Sequence, residues 1–574
     1  MESRLAGRDG HVRVSEPTDD GRSDRQETRV GGTESAGGPE WRLAINPAVG
    51  GFGSHEPSAV LFRGGRLVFG VEEARLVGRK HAPGRFPSRA IEACLGHVGR
   101  SLSGVDRVLV PWRAGSGTGG GGDAGVAAIE RRLERIDTPV PPIETFSHHR
   151  CHAASGFFPS GFDEALVLTI DARGSRHSTV VWHGEGRSLR RLAAYPAPNS
   201  LGYLYGAVTG YLGYRVFGGE GRVMALAAHG EANSAIRSRL RSVVETGAGY
   251  DVTGLVGGGI PSGIARLETL FDRSRSEPPN PADGWGCDLA FETQRLLEEI
   301  VLAIRRRYGE RSGTGNVCLA GGVAANCAMN GRIAVEPGVR ALFVPPVPHD
   351  AGAPIGAGML ASDRSAPRPS VYCGPASSQE AIDRLLRRRG ITVDRPDDLP
   401  HRVATRLADG AVVGWFQGRL EMGPRALGNR SILADPRSED VRDRINAFVK
   451  HREPWRPLAP SILESAADSY FESGPDPYMS RTVPVRRDRR GTIPAVVHPA
   501  DGTARPQTVS ADRTPRYHRL LVAFEALTGV PLLLNTSFND RGRPIVATPA
   551  DALSAAESMA LDLLVLGDAV VERR

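Results

Sequence analysis

Two separate stretches of the chain repeat the same order of strands and turns. The stretches are residues 41–76, with Gly64 and Gly65 at the hairpin, and residues 164–195, with Gly184 and Gly186 at the hairpin. In both, apolar and β-branched runs alternate with glycine turns, which is typical of antiparallel strands joined by tight hairpins. Helical sequence follows each stretch. The repetition therefore predicts a duplicated α/β lobe with a cleft between its halves.

The chain has 574 residues, which is too long for a single hydrophobic core. Prolines and small residues at 363–376 mark a boundary, and the sequence SSQEAIDRLLRRRG after it predicts a capped helix that opens a separate lobe. The first 40 residues are charged and rich in Gly, Ser and Arg, which favours disorder. We therefore predict a disordered tail at 1–40, one lobe at 41–367 and a second lobe at 371–574.

Composition excludes several classes of protein. The net charge is +7, but the arginines are interleaved with 65 acidic residues, so a nucleic acid is not expected as a partner, whereas small anionic substrates are compatible. The six cysteines form no C-x-x-C pair, which indicates neither a disulfide framework nor a zinc module and favours a reducing cytoplasm. No apolar run reaches 18 residues, so neither a membrane span nor a signal peptide is expected.

The segment SHHRCHAASGFF at 147–158 contains two histidines four residues apart. On a helix capped by Ser147, His148 and His152 would share one face and could bind one metal ion, whereas His149 would point elsewhere. Asp171 and Asp350 follow apolar strands, where carboxylates commonly face ligands. Two imidazoles and two carboxylates suit Fe(II), Mn(II) or Zn(II). Packed histidines and helix-capping aspartates remain the alternative.

The segment LAGGVAANCAMNGRI at 319–333 places paired glycines after an apolar strand. Backbone amides at the start of a following helix can approach a phosphate closely. This pattern makes Gly321, Gly322 and Asn326 candidates for nucleotide binding. Strand-to-helix turns with glycine are also common packing devices, so this alternative stays open.

Lysine occurs only at positions 80 and 450, which leaves 70 of the 72 basic residues as arginine. Because an ammonium is a compact point charge that the planar guanidinium cannot replace, we interpret Lys450 as a cation of the reaction centre. Arginines within glycine- and proline-rich turns around it predict an oxyanion cradle. The residues considered for it are Arg419, Arg425, Arg430, Arg437 and Arg505, with Asn535, Thr536, Ser537 and Asn539 after a buried strand.

Taken together, seven segments resemble the NodU/CmcH family of ATP-dependent O-carbamoyltransferases. The segments are SHHRCHAASGFF, SLGYLYGAVTGYLGY, EGRVMALAAHG, GGVAANCAMNGRI, EMGPRALGNRSI, REPWRPLAP and LLLNTSFNDRGRPIV. The resemblance runs from about residue 42 to residue 574. It implies an N-terminal lobe of the duplicated actin-like ATPase (ASKHA) type joined to a YrdC-like α/β C-terminal lobe.

The resemblance also implies an activity. Carbamoyl phosphate and ATP, with magnesium, would form carbamoyladenylate and pyrophosphate in the C-terminal lobe, and the carbamoyl group would pass to a hydroxyl of a small-molecule or natural-product acceptor. A homodimer is compatible with it. The implied metal ligands, for Fe(II) or another divalent ion, are His148, His152, Asp171 and Asp350. The implied residues for carbamoyl phosphate and the adenylate are Arg425, Lys450, Arg456, Arg505 and Asn535, the first three of them catalytic.

Three segments depart from the family pattern. The sequence after the first metal aspartate is IDARGSRHS, where the family has glycines; EGRVMALAAHG lacks the usual lysine and APYG; and EEER is replaced by EEAR. The altered IDARGSRHS loop leaves open a catalytically silent nucleotide-binding or assembly protein, and the basic pI of about 9.3 leaves open a threonylcarbamoyl transferase acting on tRNA. The absence of a basic stripe argues against the second.

Overall fold

A computed structural model describes residues 39–49, 55–113, 122–275, 277–279, 282–362 and 368–572 of the chain. The predicted tail lies almost entirely outside these residues. Three sheets contain nearly all of the described strands. The first two sheets are built from residues before Val344, and the third from residues after Val412. The predicted lobe boundary lies between these two groups.

The first sheet has the order β3-β2-β1-β4-β5. Its first three strands are an antiparallel meander, and the last two run parallel to β1. Gly64 and Gly65 have φ values of 54° and 86° and form the hairpin between β2 and β3, as predicted. The elements are β1 Trp41–Asn46, β2 Ser58–Arg63, β3 Arg66–Glu72, α1 Glu73–Val77, α2 Ser88–His97, β4 Arg107–Val110, α3 Gly122–Leu133, β5 Ile143–Thr145 and α4 His148–Phe157.

The second sheet repeats this order as β10-β9-β6-β7-β8, again with a meander followed by two parallel strands. The predicted duplication is therefore confirmed, in the arrangement expected for an actin-like lobe. The elements are β6 Glu164–Ile170, β7 His177–Glu185, β8 Ser188–Pro196, α5 Leu201–Tyr211, α6 Glu220–Ala227, α7 Ser234–Arg241, α8 Thr253–Val256, α9 Ile260–Phe271, α10 Gly284–Ser312, β9 Asn316–Ala320, α11 Cys327–Ala334, β10 Ala341–Phe343 and α12 Ala353–Leu360.

Helices α4 and α12 pack against each other between the two sheets of this lobe. Helix α12 also contacts β1, β2 and β4 of the first sheet, whereas α4 contacts β6, β7 and β9 of the second. Two glycines of α12 permit the close approach. A Cβ atom at Gly356 would lie 1.8 Å from the carbonyl oxygen of Cys151 in α4, and one at Gly358 would lie 2.1 Å from the ring of Phe62 in β2.

The C-terminal lobe is a seven-stranded mixed sheet of order β16-β13-β17-β12-β11-β18-β19. Its core contains Trp415, Ile432, Phe524 and Leu533. The elements are α13 Gln379–Arg388, α14 Leu399–Ala408, β11 Val413–Phe416, β12 Arg430–Ala434, α15 Glu439–Arg444, β13 Ala459–Leu463, α16 Ala467–Tyr470, β14 Val483–Pro484, β15 Thr503–Ala504, β16 Gln507–Val509, α17 Pro515–Thr528, β17 Leu532–Ser537, α18 Pro549–Ser558, β18 Leu563–Leu566 and β19 Ala569–Glu572.

The predicted α/β fold class is confirmed for both lobes. Helix α13 has its predicted cap, because the Ser378 side chain accepts the backbone N–H of Ala381. Among the described helices, none combines the length and apolar character needed to cross a membrane.

The two lobes are joined by a buried polar contact. Glu72, at the end of β3, accepts the backbone N–H of Gly423 at 2.8 Å, and Arg75 donates to the Gly423 carbonyl at 2.5 Å. Gly423 has a φ of 108°, and a Cβ atom there would lie 2.5 Å from the carbonyl oxygen of Pro346. The EEAR segment of the first lobe therefore fixes the EMGPRALG segment of the second.

The α4–α12 crossing gives a test of the fold. Gly356→Ala is expected to destabilise the protein by about 2 kcal/mol, because the added methyl group must push the Cys151 carbonyl aside. Calorimetry should show this as a lower melting temperature. The matched control is Gly96→Ala in α2, where no atom lies within 4 Å of the new Cβ and alanine has the better helix propensity. A Gly356→Ala protein that melts like wild type would contradict the packing argument.

Candidate functional site

Four buried side chains meet at the N-terminal ends of α4 and α12 and are called the His–Asp cluster below. It consists of His148, His152, Asp171 and Asp350, whose nearest ligand atoms all lie within 4.8 Å of one another. The Nε2 atoms of His148 and His152 are 3.2 Å apart. The Asp171 Oδ2 atom lies 3.3 and 3.2 Å from these two nitrogens, and the Asp350 Oδ1 atom lies 3.6 and 3.5 Å from them.

Separate elements hold the members of this cluster. Both histidines lie on α4, Asp171 follows β6, and Asp350 opens a short 3₁₀ turn before α12 instead of ending a strand. Residue 147 occupies the cap position of α4, but its side chain makes no capping hydrogen bond, so the predicted serine cap is wrong in that detail. His149 points away, as predicted, towards Thr169 and the His177 carbonyl.

The His–Asp cluster has the chemistry and spacing of a metal site. His148 Nδ1 bonds to the carbonyl of Pro111 at 3.2 Å, which leaves Nε2 to face the carboxylates, while His152 Nδ1 is buried without a partner. Ligand atoms about 2.1 Å from one ion, arranged tetrahedrally, would be about 3.4 Å apart. The measured separations between the nitrogens and carboxylate oxygens, 3.2 to 3.6 Å, match that spacing.

The local field also favours a cation. Burial lowers the pKa of His152, but hydrogen bonds from it to Asp171 and Asp350 and their charges raise that pKa overall to about 9. The neighbouring His149, by contrast, has a pKa of about 3, because it is buried beside His148. The two carboxylates that favour protonation of His152 would favour binding of a divalent ion for the same electrostatic reason.

The glycine turn predicted to bind nucleotide lies beside this cluster. A Cβ atom at Gly321 would lie 2.3 Å from the Ile170 carbonyl oxygen, and one at Gly322 would lie 3.1 Å from Asp171 Oδ1. The α-helix begins only at Cys327, and Asn326 caps it by accepting the N–H of Met329. All three residues thus have structural contacts, and their binding of nucleotide stays a prediction.

A second group of side chains, called the cation cluster below, gathers at the lobe junction. Lys450, at the end of a π-turn at Ile445–Val449, is buried, and its ammonium donates to the Ser537 and Asn539 carbonyls, each at 2.7 Å. Burial and the positive charges nearby hold the pKa of Lys450 well below its usual range. The residues of the cation cluster are Lys80, Arg222, Arg425, Lys450, Arg452, Arg456 and Arg505.

The guanidinium groups of the cation cluster repel one another. Burial and the neighbouring Arg505 lower the pKa of Arg425 to about 9, and burial together with Arg222 and Arg505 lowers that of Arg456 to about 10 despite the nearby Glu453. The Arg505 Nε atom is buried and has no hydrogen-bond partner. Such a set of like charges with unused donors is stabilised when an anion binds.

Asn535 lies beside this cluster on β17 and is buried. Its side-chain N–H group donates to the Ala426 carbonyl, to Ser461 Oγ at 2.8 Å and to Gln507 Oε1. The Asn535 Oδ1 atom has no partner. A buried acceptor without a donor suits a ligand that carries an N–H group.

Three predicted members of the oxyanion cradle have other roles. Arg419 donates to the carbonyls of Gly374, Val68 and Cys373, and Arg437 pairs with Asp435 at 2.6 Å. Arg430 is fully buried and bonds to the backbone of residues 417–418. These arginines satisfy backbone carbonyls or a local acid, so their prediction as anion ligands is wrong.

Of three residues that the N-terminal lobe contributes, sequence reasoning noted Lys80 without giving it a role and missed Arg222 and Glu56. Lys80 is an exposed residue, and desolvation by its surroundings, followed by the charges of Arg456 and Arg222, lowers its pKa. Arg222 of α6 lies 3.7 Å from Glu453. The segment EGRVMALAAHG therefore places a cation next to the C-terminal lobe, although it departs from the family pattern. Glu56 bonds to His81, and its charge acts on both Lys80 and His349, the neighbour of Asp350. The scarcity of lysine was the only signal for any of them.

Sequence comparison identifies the family. Residues 125–359 match the model Carbamoyltransferase N-terminus, and residues 404–573 match Carbamoyltransferase C-terminus. Nodulation protein NolNO of Sinorhizobium fredii is 39% identical over 554 residues, which cover 91% of this chain and 79% of the relative. The chain belongs to the carbamoyltransferase family. It is therefore a transferase, as the resemblance implied.

Other relatives of this carbamoyltransferase are similar over most of their length. Nodulation protein NolO of Bradyrhizobium diazoefficiens is 39% identical over 75% of this chain and 79% of its own, and an uncharacterised Synechocystis protein is 35% identical over 90% and 95%. Among solved structures, HypF in its phosphate- and nucleotide-bound form is 12% identical over 56% of this chain and 46% of its own, with a TM-score of 0.35. The family assignment rests on the sequence relatives.

The Glu56 contact gives a pH-dependent prediction. Burial raises the pKa of Glu56, but the hydrogen bond with His81 and the nearby His349 and His81 charges lower it overall from 4.5 to about 2. A depressed carboxyl pKa stabilises the fold above the unfolded value and loses that effect as the pH falls. The stability advantage of wild type over Glu56→Gln should therefore shrink by about 2 kcal/mol between pH 5 and pH 3. Denaturant unfolding at both pH values measures it, and an advantage that stays constant would contradict the prediction.

Proposed function

We propose that this carbamoyltransferase makes carbamoyladenylate from carbamoyl phosphate and ATP at the cation cluster. The carbamoyl group then passes to a hydroxyl of a small-molecule acceptor at the His–Asp cluster. The observation that carries the proposal is the cation cluster itself, in which mostly half-buried, mutually repelling cations retain an unused donor on Arg505. Substrates with several phosphate groups would relieve that repulsion.

The proposed first step consumes one water molecule. Carbamoyl phosphate and water give carbamate and inorganic phosphate. A carbamate oxygen then attacks the α-phosphorus of ATP, the new O–P bond forms, and the bond to pyrophosphate breaks. Negative charge accumulates on phosphoryl oxygens throughout, so Arg425, Arg456 and Arg505 would stabilise it from fixed positions. Lys450 would exchange one of its bonds to Ser537 or Asn539 for a phosphoryl or carbonyl oxygen.

Asn535 would recognise the carbamoyl group. The unpartnered Oδ1 atom can accept the N–H of the carbamoyl amide, which an acetyl group lacks. Its own N–H group is already occupied by Ala426, Ser461 and Gln507, so the acceptor face is fixed in orientation. A substrate without this N–H group would leave the buried Oδ1 atom unpaired, so the site would strongly favour a carbamoyl group over an acetyl group.

In the proposed second step, the acceptor hydroxyl oxygen attacks the carbamoyl carbon. The bond from that carbon to the AMP oxygen breaks, and the hydroxyl proton leaves. A divalent ion held by His148, His152, Asp171 and Asp350 would supply charge stabilisation for the carbonyl or for the hydroxyl oxygen. Fe(II) is the ion that the family resemblance implies, and the donor set is compatible with it. The protein's own contribution is to hold the ligands buried and correctly oriented.

The alternative of a catalytically silent protein is less consistent with these sites. Loss of activity would be expected to relax both sites, yet His148, His152, Asp171 and Asp350 stay close together, and Arg425, Arg456 and Arg505 stay within electrostatic reach of one another. The altered segment IDARGSRHS packs its Ala172 backbone against Gly202, where a Cβ atom would lie 2.5 Å away. Its changes therefore belong to packing beside α5.

The two half-reactions can be separated by two variants. Lys450→Met is expected to reduce carbamoyl-phosphate-dependent exchange of labelled pyrophosphate into ATP by at least about a hundredfold, because a fixed charge at the phosphoryl oxygens is removed. His148→Ala should leave exchange within about twofold of wild type and abolish carbamoyl transfer from the adenylate. Radiolabel exchange and mass spectrometry of acceptor extracts measure the two steps.

Controls for these variants come from exposed residues of the same charge class. Arg387→Met in α13 and His401→Ala in α14 change exposed side chains and should preserve both steps. Loss of exchange in His148→Ala would show that the proposed division between the lobes is wrong. Normal exchange in Lys450→Met would show that the adenylate forms elsewhere.

Metal content tests the His–Asp cluster directly. Wild-type protein reconstituted anaerobically with Fe(II) should bind about one ion per chain, and Asp350→Asn and His152→Ala should each reduce its affinity at least tenfold. Removal of the ion by a chelator should lower the melting temperature of wild type but not that of the variants. Stoichiometric binding that survives both substitutions would place the ion at another site.

A further inference from the structure

A cavity of about 200 Å³ opens at the lobe junction, apart from the residues of both clusters. One wall is residues 342–344, at the outer edge of the second sheet, where β10 is the terminal strand. The opposite wall is the segment 475–481 of the C-terminal lobe, and Arg368 and Arg513 complete the lining. A ligand in this cavity would contact both lobes at once.

One side of the cavity presents arginine donors that the protein does not satisfy. Arg481 donates from Nη2 to the carbonyls of Gly474 and Pro475, but its Nε atom is buried and has no acceptor. The Arg513 side chain is exposed, and no hydrogen bond or ion pair joins it to another described residue, although the charge of the neighbouring Asp512 acts on it. Donors of this kind are stabilised by anionic oxygens, which guanidinium groups bind in pairs.

The lining has three arginines, Arg368, Arg481 and Arg513, against two acidic residues. Both carboxylate oxygens of Asp476 are occupied within its own turn, where they accept the N–H groups of Tyr478, Ser480 and Arg481 and the Ser480 hydroxyl. Glu464 is exposed at the rim. The third arginine, Arg368, is held by the carbonyls of residues 159 and 160 and adds a fixed positive charge.

The other side of the cavity is apolar. The rings of Phe343 and Tyr478 meet edge to face, with centroids 6.4 Å apart, and Leu342 and Val344 flank them. The Arg368 guanidinium lies 5.4 Å from the centre of the Phe343 ring. Such a surface favours a flat or apolar body next to the anionic group.

We propose that this cavity binds a small organic anion, with a phosphate or carboxylate group on an aromatic or apolar body. Binding there would also strengthen the lobe contact, because the adjoining residues hold α11. Asn330 donates to the Ser480 carbonyl at 2.8 Å, and Thr482 donates to the Cys327 carbonyl at 2.9 Å. The negative charge of Asp476 in the same segment acts on Arg425 of the cation cluster. The site is therefore placed to couple ligand binding to the catalytic junction.

Calorimetric titration with phenyl phosphate tests the proposal in the full chain. An Arg505→Met background weakens binding at the cation cluster, so the remaining binding reports on the cavity. In that background, Arg513→Gln and Arg481→Gln should each weaken binding of phenyl phosphate about tenfold or more, because each removes a charge-assisted hydrogen bond. Arg487→Gln, which changes an exposed arginine outside the lining, should have no effect.

Titrations with three further ligands and one exchange assay distinguish the possible outcomes. Benzoate, inorganic phosphate and phenol separate the contributions of phosphate, carboxylate and ring; phenol and inorganic phosphate should both bind more weakly than phenyl phosphate. Arg513→Gln in the wild-type background should retain pyrophosphate exchange, so failure of this proposal is distinguishable from failure of the proposed function. Affinity that is unchanged by both Arg513→Gln and Arg481→Gln, or absent in Arg505→Met alone, would overturn the proposal.

Discussion

The close crossing of α4 and α12 is the contact on which the His–Asp cluster depends. The absence of a side chain at Gly356 lets α12 approach the Cys151 carbonyl, one residue before His152. That approach brings Asp350, just before α12, within 3.5 Å of the His152 imidazole. A wider crossing would separate the carboxylate from the two histidines, and the buried charges would then lose their partners at considerable cost.

The enzyme keeps a negatively charged group and a positively charged group in two separate sites. Two carboxylates dominate the His–Asp cluster and raise the pKa of His152, whereas desolvation and then the neighbouring cations lower the pKa values of Arg425, Arg456 and Lys450. Without a ligand, each cluster lowers the stability of the fold, because like charges are held close together and away from water. A metal ion offsets the first cost and phosphorylated substrates offset the second. The same fold can therefore keep both sites poised for ligands of opposite charge.

Local patterns predicted most of the fold, whereas long-range contacts limited prediction of the sites. The meanders and the α13 cap depend on neighbours in sequence, so glycine turns and a serine were enough to find them. The cation cluster depends on docking of the lobes, and nothing near Arg222 or Glu56 in sequence indicates it. Abundant arginine also misled, because a guanidinium that binds backbone carbonyls, as Arg430 does, looks the same in sequence as one that binds phosphate.

The departures from the family pattern fall mostly on this docking surface. The EEAR segment retains Glu72 and Arg75, the two residues that hold Gly423. Two residues after Gly423, Arg425 reaches back to the Ala325 carbonyl of the first lobe at 3.4 Å. Arg222 replaces a lysine of the family and still faces Glu453 beside Arg456. In this chain, the altered segments hold the two lobes together through contacts of Glu72 and Arg75 with Gly423 and of Arg222 with Glu453.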